Sequence, residues 1–164
     1  MNYAKIIKYD TGNWDGICTT IFFSGCKFGC KGCFNSDLFD FNYGQPFNKE
    51  VADMFIKYAK SKHVSGVCLL GGEVFQQDLD EMYSFIKRLY DEVGKPIHVW
   101  TGYTYETLLT DPKKIAILEL IDTLVDGQFM IEKKDLNLKH RGSSNQRVID
   151  IPISLMTNEI KEII

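Results

Sequence analysis

The chain has 164 residues, 45% hydrophobic and 25% charged, with a formal net charge of -3. That length suits one domain, 1–164, with a core of its own. The balance excludes a global basic field for nucleic acid, and no apolar run approaches the ~20 residues of a membrane span. Neither nucleic acid nor a membrane is therefore an expected partner.

In chain order, "YAKIIKY" (3–9) alternates as a strand does, and "TGNWDG" is a turn. "ICTTIFF" (17–23) is a β-branched and aromatic strand that runs straight into a cysteine-rich loop. "NKEVADMFIKYAK" predicts a helix with Asn48 as its N-cap. "VSGVCLL" (64–70) reads as a buried strand ending in Gly-Gly. Over 78–93, Leu79, Met82, Ile86, Leu89 and Val93 share one helical face. "IHVWT" (97–101) is a strand closed by Gly102, with Trp100 read as core. Two short helices are expected over 104–121 and a short strand over 123–127. The polar stretch 132–147 predicts a long loop, "VIDI" (148–151) a last strand, and the tail after Pro152 a short helix. Alternating strands and helices predict a parallel α/β sheet, with ligands at the carboxyl ends of its strands.

The start of the chain has no apolar h-region of the signal-peptide kind, so the expected address is the cytoplasm, where thiols stay reduced. The five cysteines are an odd number, which argues against a complete disulfide framework. Cys26, Cys30 and Cys33 form C-x3-C-x2-C in "SGCKFGCKGCFN". Three thiolates can hold three irons of a cubane cluster and leave the fourth open to a small molecule. A structural zinc site remains the alternative, but it would be closed by four ligands. No histidine is near enough in sequence to be the fourth, and Cys18 and Cys68 lie mid-strand as small core residues. Gly25, Gly29 and Gly32 let the backbone wrap and aim N–H groups at sulfur. Gly71, Gly72 and Glu73 end the strand "VCLLGGE". That is either a strand-exit turn or a site where the main chain meets a ligand.

The cysteine spacing resembles the signature of radical S-adenosylmethionine enzymes. "FFSGCKFGCKGCFN", "VWTGYTYE", "TLVDGQF" and "RGSSNQRVID" are together similar to the small activating enzymes of anaerobic (class III) ribonucleotide reductases. The similarity covers about residues 10 to 151. It implies an α/β fold, an abbreviated (β/α) barrel open on one side, since a complete one takes about 250 residues. It implies a [4Fe-4S] cluster on Cys26, Cys30 and Cys33, with S-adenosylmethionine on the open iron. Gly71, Gly72 and Glu73 match the motif for the methionine amino group. Gly32, Phe34 and Asn35 would lie near the adenine, and Thr101 and Asp126 near the ribose or carboxylate. Arg141, Asn145 and Arg147 would contact the cofactor or the partner. The implied activity is reductive cleavage of S-adenosylmethionine to make a glycyl radical on the large subunit of anaerobic ribonucleoside-triphosphate reductase. The implied electron donor is a reduced flavodoxin-like protein.

Two positions depart from the family pattern. Gly32 stands where an aromatic residue is common, and Cys18 where an arginine is expected. The rivals are another glycyl-radical activase or small radical enzyme, a zinc-bound structural module, and a simple iron–sulfur electron carrier, which would normally supply four cysteines.

Overall fold

A computed structural model describes residues 1–164. The fold is mixed α/β: one eight-stranded sheet and five α-helices. β1 (Asn2–Asp10) and β2 (Cys18–Phe23) form an antiparallel pair joined by the 11–17 loop. β3 (Gln45–Pro46) adds to the outer edge of β1. α1 (Lys49–Ala59), β4 (Gly66–Gly71), α2 (Leu79–Arg88) and β5 (Ile97–Trp100) follow. Then come α3 (Tyr105–Leu108), α4 (Pro112–Leu118), β6 (Thr123–Asp126), β7 (Arg147–Asp150), α5 (Ile151–Thr157) and β8 (Lys161–Glu162).

The strand order is β3-β1-β2-β4-β5-β6-β7-β8. The parallel pairing expected from the alternation holds for the central run β2-β4-β5-β6. Both flanks are antiparallel. On the β7 side the physical reason is the connection. Residues 127–146 contain only one short 3-10 turn at 131–133 and return without a crossover helix, so β7 runs back along β6. The expected strand 148–151 ends one residue early. Asp150 caps α5 by accepting from the Ile153 N–H at 3.0 Å, and Pro152 suits the first helical turn.

The helices begin where their caps stand. Asn48 accepts from the Val51 N–H, and Asp78 accepts from the N–H groups of Asp80 and Glu81. The predicted face of α2 is the buried one. Met82, Ile86 and Leu89 are fully covered, with Leu79 and Val93 packed at the margin. A π-turn over Leu89–Val93 carries the helix to Gly94, whose φ of 66° ends it.

Alternation gives the sheet two different faces. Ile21, Phe23, Val67, Leu69, Ile97, Val99 and Leu124 pack under the helices as the main core. Cys18, Cys68 and Leu70 lie on the other face with Trp14, Phe22 and Trp100. Trp14, from the 11–17 loop, is stacked between His98 and His140 at ring separations of 4.1 and 3.8 Å. Burial pushes the His98 pKa down to about 4, so this stack is neutral on its His98 side at physiological pH. Trp100 is not a core residue alone: half-buried, it donates its indole N–H to the His140 carbonyl at 2.8 Å and walls the cavity described below.

Leu69 is fully buried in the strand at the middle of the parallel run. Leu69→Ala is expected to cost about 3 kcal/mol. That corresponds to a fall of about 10 °C in Tm, measurable by thermal and urea denaturation.

Candidate functional site

The cysteine loop leaves β2 and turns at once over the end of β4. The turn needs two glycines. Gly25 has φ of +110°, and a Cβ on it would run into the Phe41 ring. A Cβ on Gly72 would strike the backbone of Gly25. The two main chains therefore touch, and hydrogen bonds hold them there. The Gly72 N–H donates to the Phe23 carbonyl and the Glu73 N–H to the Gly25 carbonyl, both at 2.8 Å. Gln77 reinforces the joint, its amide donating to the carbonyls of Ser24 at 3.0 Å and Glu73 at 3.1 Å. Gln76 accepts from the Lys27 N–H at 2.7 Å. Neither glutamine was singled out from the sequence, although "GGEVFQQ" places both directly after the Gly-Gly-Glu turn.

Cys26, Cys30 and Cys33 are free thiols, each half-buried, and all three line one cavity of 410 Å³. Phe34, Asn35, Gly71, Gly72, Glu73, Thr101 and Arg141 line the same cavity. The structure thus brings ten of the sequence-predicted site residues together. Gly32 stays outside, its open side filled by Ile131. Asp126, Asn145 and Arg147 line a neighbouring polar groove that meets the cavity at Gly102 and Gly127.

Main-chain N–H groups point at sulfur, as the glycine pattern predicts. Those of Phe28 and Gly29 face Cys26, that of Phe129 faces Cys30, and that of Asn35 lies 3.4 Å from the Cys33 sulfur. Burial pushes the Cys26 and Cys30 thiols up, and in Cys30 a neighbouring Cys33 thiolate adds to the effect. Bound iron would offset that cost by its positive charge. The thiols do not converge on one point as a single ion asks. A cubane, in which each thiolate takes a different iron, makes no such demand. Three thiolates, N–H groups aimed at sulfur and a cavity beyond them fit a cluster with one open iron.

Glu73 is 1% exposed, and its carboxylate is fully engaged by the protein. It accepts from the Thr101 hydroxyl at 2.7 Å, the Gly102 N–H at 2.7 Å and the Phe75 N–H at 3.1 Å. It therefore latches the end of β4 to the end of β5. Burial raises its pKa to about 7 against those three bonds, which lower it. Asp126, also 1% exposed, accepts from the Tyr105 N–H at 2.7 Å and is paired with Arg147. Arg147 reaches on to Glu106 at 2.8 Å. This pair closes the ends of β6 and β7 much as Glu73 closes those of β4 and β5.

Comparisons with known proteins show the family of the chain. The family model described as a 4Fe-4S single cluster domain matches residues 13–149. The chain is 38% identical to the anaerobic ribonucleoside-triphosphate reductase-activating protein of Salmonella typhimurium, over 90% of this chain and 97% of that one. It is 37% identical to the protein of the same name from Escherichia coli K12, over 90% and 97%. Against the Enterobacteria phage T4 protein of that name the identity is 30%, over 90% and 93%. The chain belongs to the family of 4Fe-4S anaerobic ribonucleoside-triphosphate reductase-activating proteins.

Because the folded pKa of Glu73 lies above the unfolded value of 4.5, its contribution to stability is fully present below pH 4.5. It is lost as pH rises through about 7. His98, lowered to about 4, contributes a slope of opposite sign, so the expected signal is the difference between wild type and Glu73→Gln: urea denaturation of the metal-free chains should show that difference falling as pH rises from 4.5 through about 7.

Proposed function

We propose that this chain activates an anaerobic ribonucleoside-triphosphate reductase by placing a glycyl radical on its large subunit. One observation carries the reading: three cysteines, the Gly-Gly-Glu turn and Thr101 line a single cavity in a chain of this family. Cys26, Cys30 and Cys33 would hold a [4Fe-4S] cluster. When reduced, such a cluster would supply the one electron that cleaves bound S-adenosylmethionine to methionine and a 5′-deoxyadenosyl radical able to take hydrogen from a glycine Cα.

The residues of this chain have four tasks in that reaction. The glycines of the cysteine loop let N–H groups stabilise the thiolates. Gly71 and Gly72 bring main chain against the cavity, where a carbonyl can meet the methionine ammonium. Glu73, latched to Thr101 and Gly102, fixes that strand end and adds negative charge near the ammonium. Phe34, Phe28 and Trp100 give the cavity apolar walls that exclude water from a reactive radical.

Asn35 and the main chain of Gly32 to Phe34 are the proposed neighbours of the adenine. Asp126, at the groove that joins the cavity, is the proposed neighbour of the ribose. The loop bearing Arg141, Asn145 and Arg147 would meet the reductase, with Arg141 at the cavity wall. The parallel run β2-β4-β5-β6 is read as the abbreviated, open (β/α) barrel of radical S-adenosylmethionine enzymes. The open side would admit a protein loop. A single domain over 1–164, a cytoplasmic address and a reduced flavodoxin-like donor complete the reading.

The test is anaerobic reconstitution with iron and sulfide, followed by reduction and addition of S-adenosylmethionine and a class III reductase. The expected products are 5′-deoxyadenosine and a glycyl-radical doublet in the EPR spectrum of the reductase. Cys30→Ala should reduce both to background. A colourless protein that binds zinc and leaves S-adenosylmethionine intact would overturn the proposal.

A further inference from the structure

The loop 141–147, "RGSSNQR", spends most of its hydrogen bonds inside the chain. Arg141 Nη1 donates to the Gln146 carbonyl at 2.7 Å. The Gln146 side-chain oxygen accepts from the N–H groups of Gly142 and Ser143 at 2.9 and 3.1 Å. Its NH2 donates to the Gly127 carbonyl at 2.9 Å. Asn145 Nδ2 donates to the Gln128 carbonyl at 2.8 Å, and the Met130 N–H donates to Ser143 Oγ at 3.1 Å. The main chain of 127–130 is thereby clamped from one side.

On its other side the same segment presses against the cysteine loop. The Phe129 ring lies 5.1 Å from that of Phe34. Cys30 Sγ lies 3.8 Å from Gln128 Oε1, and the Phe129 N–H faces the same sulfur. Cys30 is thus met by two groups from "DGQF", which lies far from it in sequence.

We infer that Gln128 is a positioning residue for the cluster, hydrogen-bonded to the Cys30 sulfur and held there by the 141–147 clamp. The inference rests on the cluster reading of the cysteine loop. A carboxamide suits either state of the ligand. It offers its oxygen to a thiol and, after a half-turn of its terminal bond, its NH2 to a thiolate. Hydrogen bonds to cluster sulfur favour the more negative, reduced state and raise the reduction potential. Gln128 would therefore ease the reduction on which the chemistry depends. It would do so without touching substrate.

The experiment is an anaerobic, dye-mediated redox titration of the reconstituted full chain, followed by the EPR signal of the reduced cluster. Iron and sulfide content are measured first. In Gln128→Leu the midpoint should move to a more negative potential. Gln128→Glu, which keeps the shape but adds charge and removes the donor, should move it further. Asn145→Ala should move it the same way by less, because the Gln128 carbonyl is released from the clamp. Full cluster content with unchanged midpoints in the Leu and Glu variants would overturn the inference. Cluster loss from the shape-conserving Glu variant, with native circular dichroism, would also place Gln128 at the cluster. A native chain that takes up no iron and sulfide would remove the cluster reading itself, a different failure from an unmoved midpoint.

Discussion

The contact between the main chains of Gly25 and Gly72 decides where the cysteine loop can lie. The Gly72 main chain approaches that of Gly25 this closely only because Gly72 carries no Cβ, Gly25 itself turns at φ +110° against the Phe41 ring, and the bonds from Gly72 and Glu73 to the Phe23 and Gly25 carbonyls hold the two in register. All the chemistry of the site depends on that joint. It sets Cys26 at the end of β2 and opens the cavity between the loop and the ends of β4 and β5. It also buries Glu73, whose carboxylate then has to be satisfied by Thr101, Gly102 and Phe75.

A common device recurs at the carboxyl ends of the strands. Glu73 ties β4 to β5, and Asp126 with Arg147 ties β6 to β7. A buried carboxylate is costly unless its lone pairs are taken, so each marks a place where main-chain N–H groups or a guanidinium converge. The result is a hydrogen-bonded rim around the cavity.

On the opposite sheet face Trp14 is wedged between His98 and His140. His140 is shared by both parts: it caps Trp14, and its carbonyl accepts from Trp100 on the cavity wall. The chemistry and the packing of this face are therefore coupled through one residue with a left-handed backbone.

Much of this was legible in the sequence, and the reason is that the signals are local. Cysteine spacing reports a ligand loop because three thiols within eight residues cannot separate. Asn48 reports a helix start because a capping bond spans only two or three residues. The α2 face is read from its period. The tertiary structure alone decided what depends on distant partners. It turned β7 antiparallel because 127–146 forms no crossover helix. It committed Glu73 to protein donors and gave Trp100, packed at the margin of the second core cluster, a place on the cavity wall. It divided the polar groups of "RGSSNQR" among the loop itself, the 127–130 main chain beside Cys30, and the Asp126 and Glu106 carboxylates. A side chain's hydrogen-bonding capacity is written in the sequence; which group satisfies it is set by what the fold brings within 3 Å.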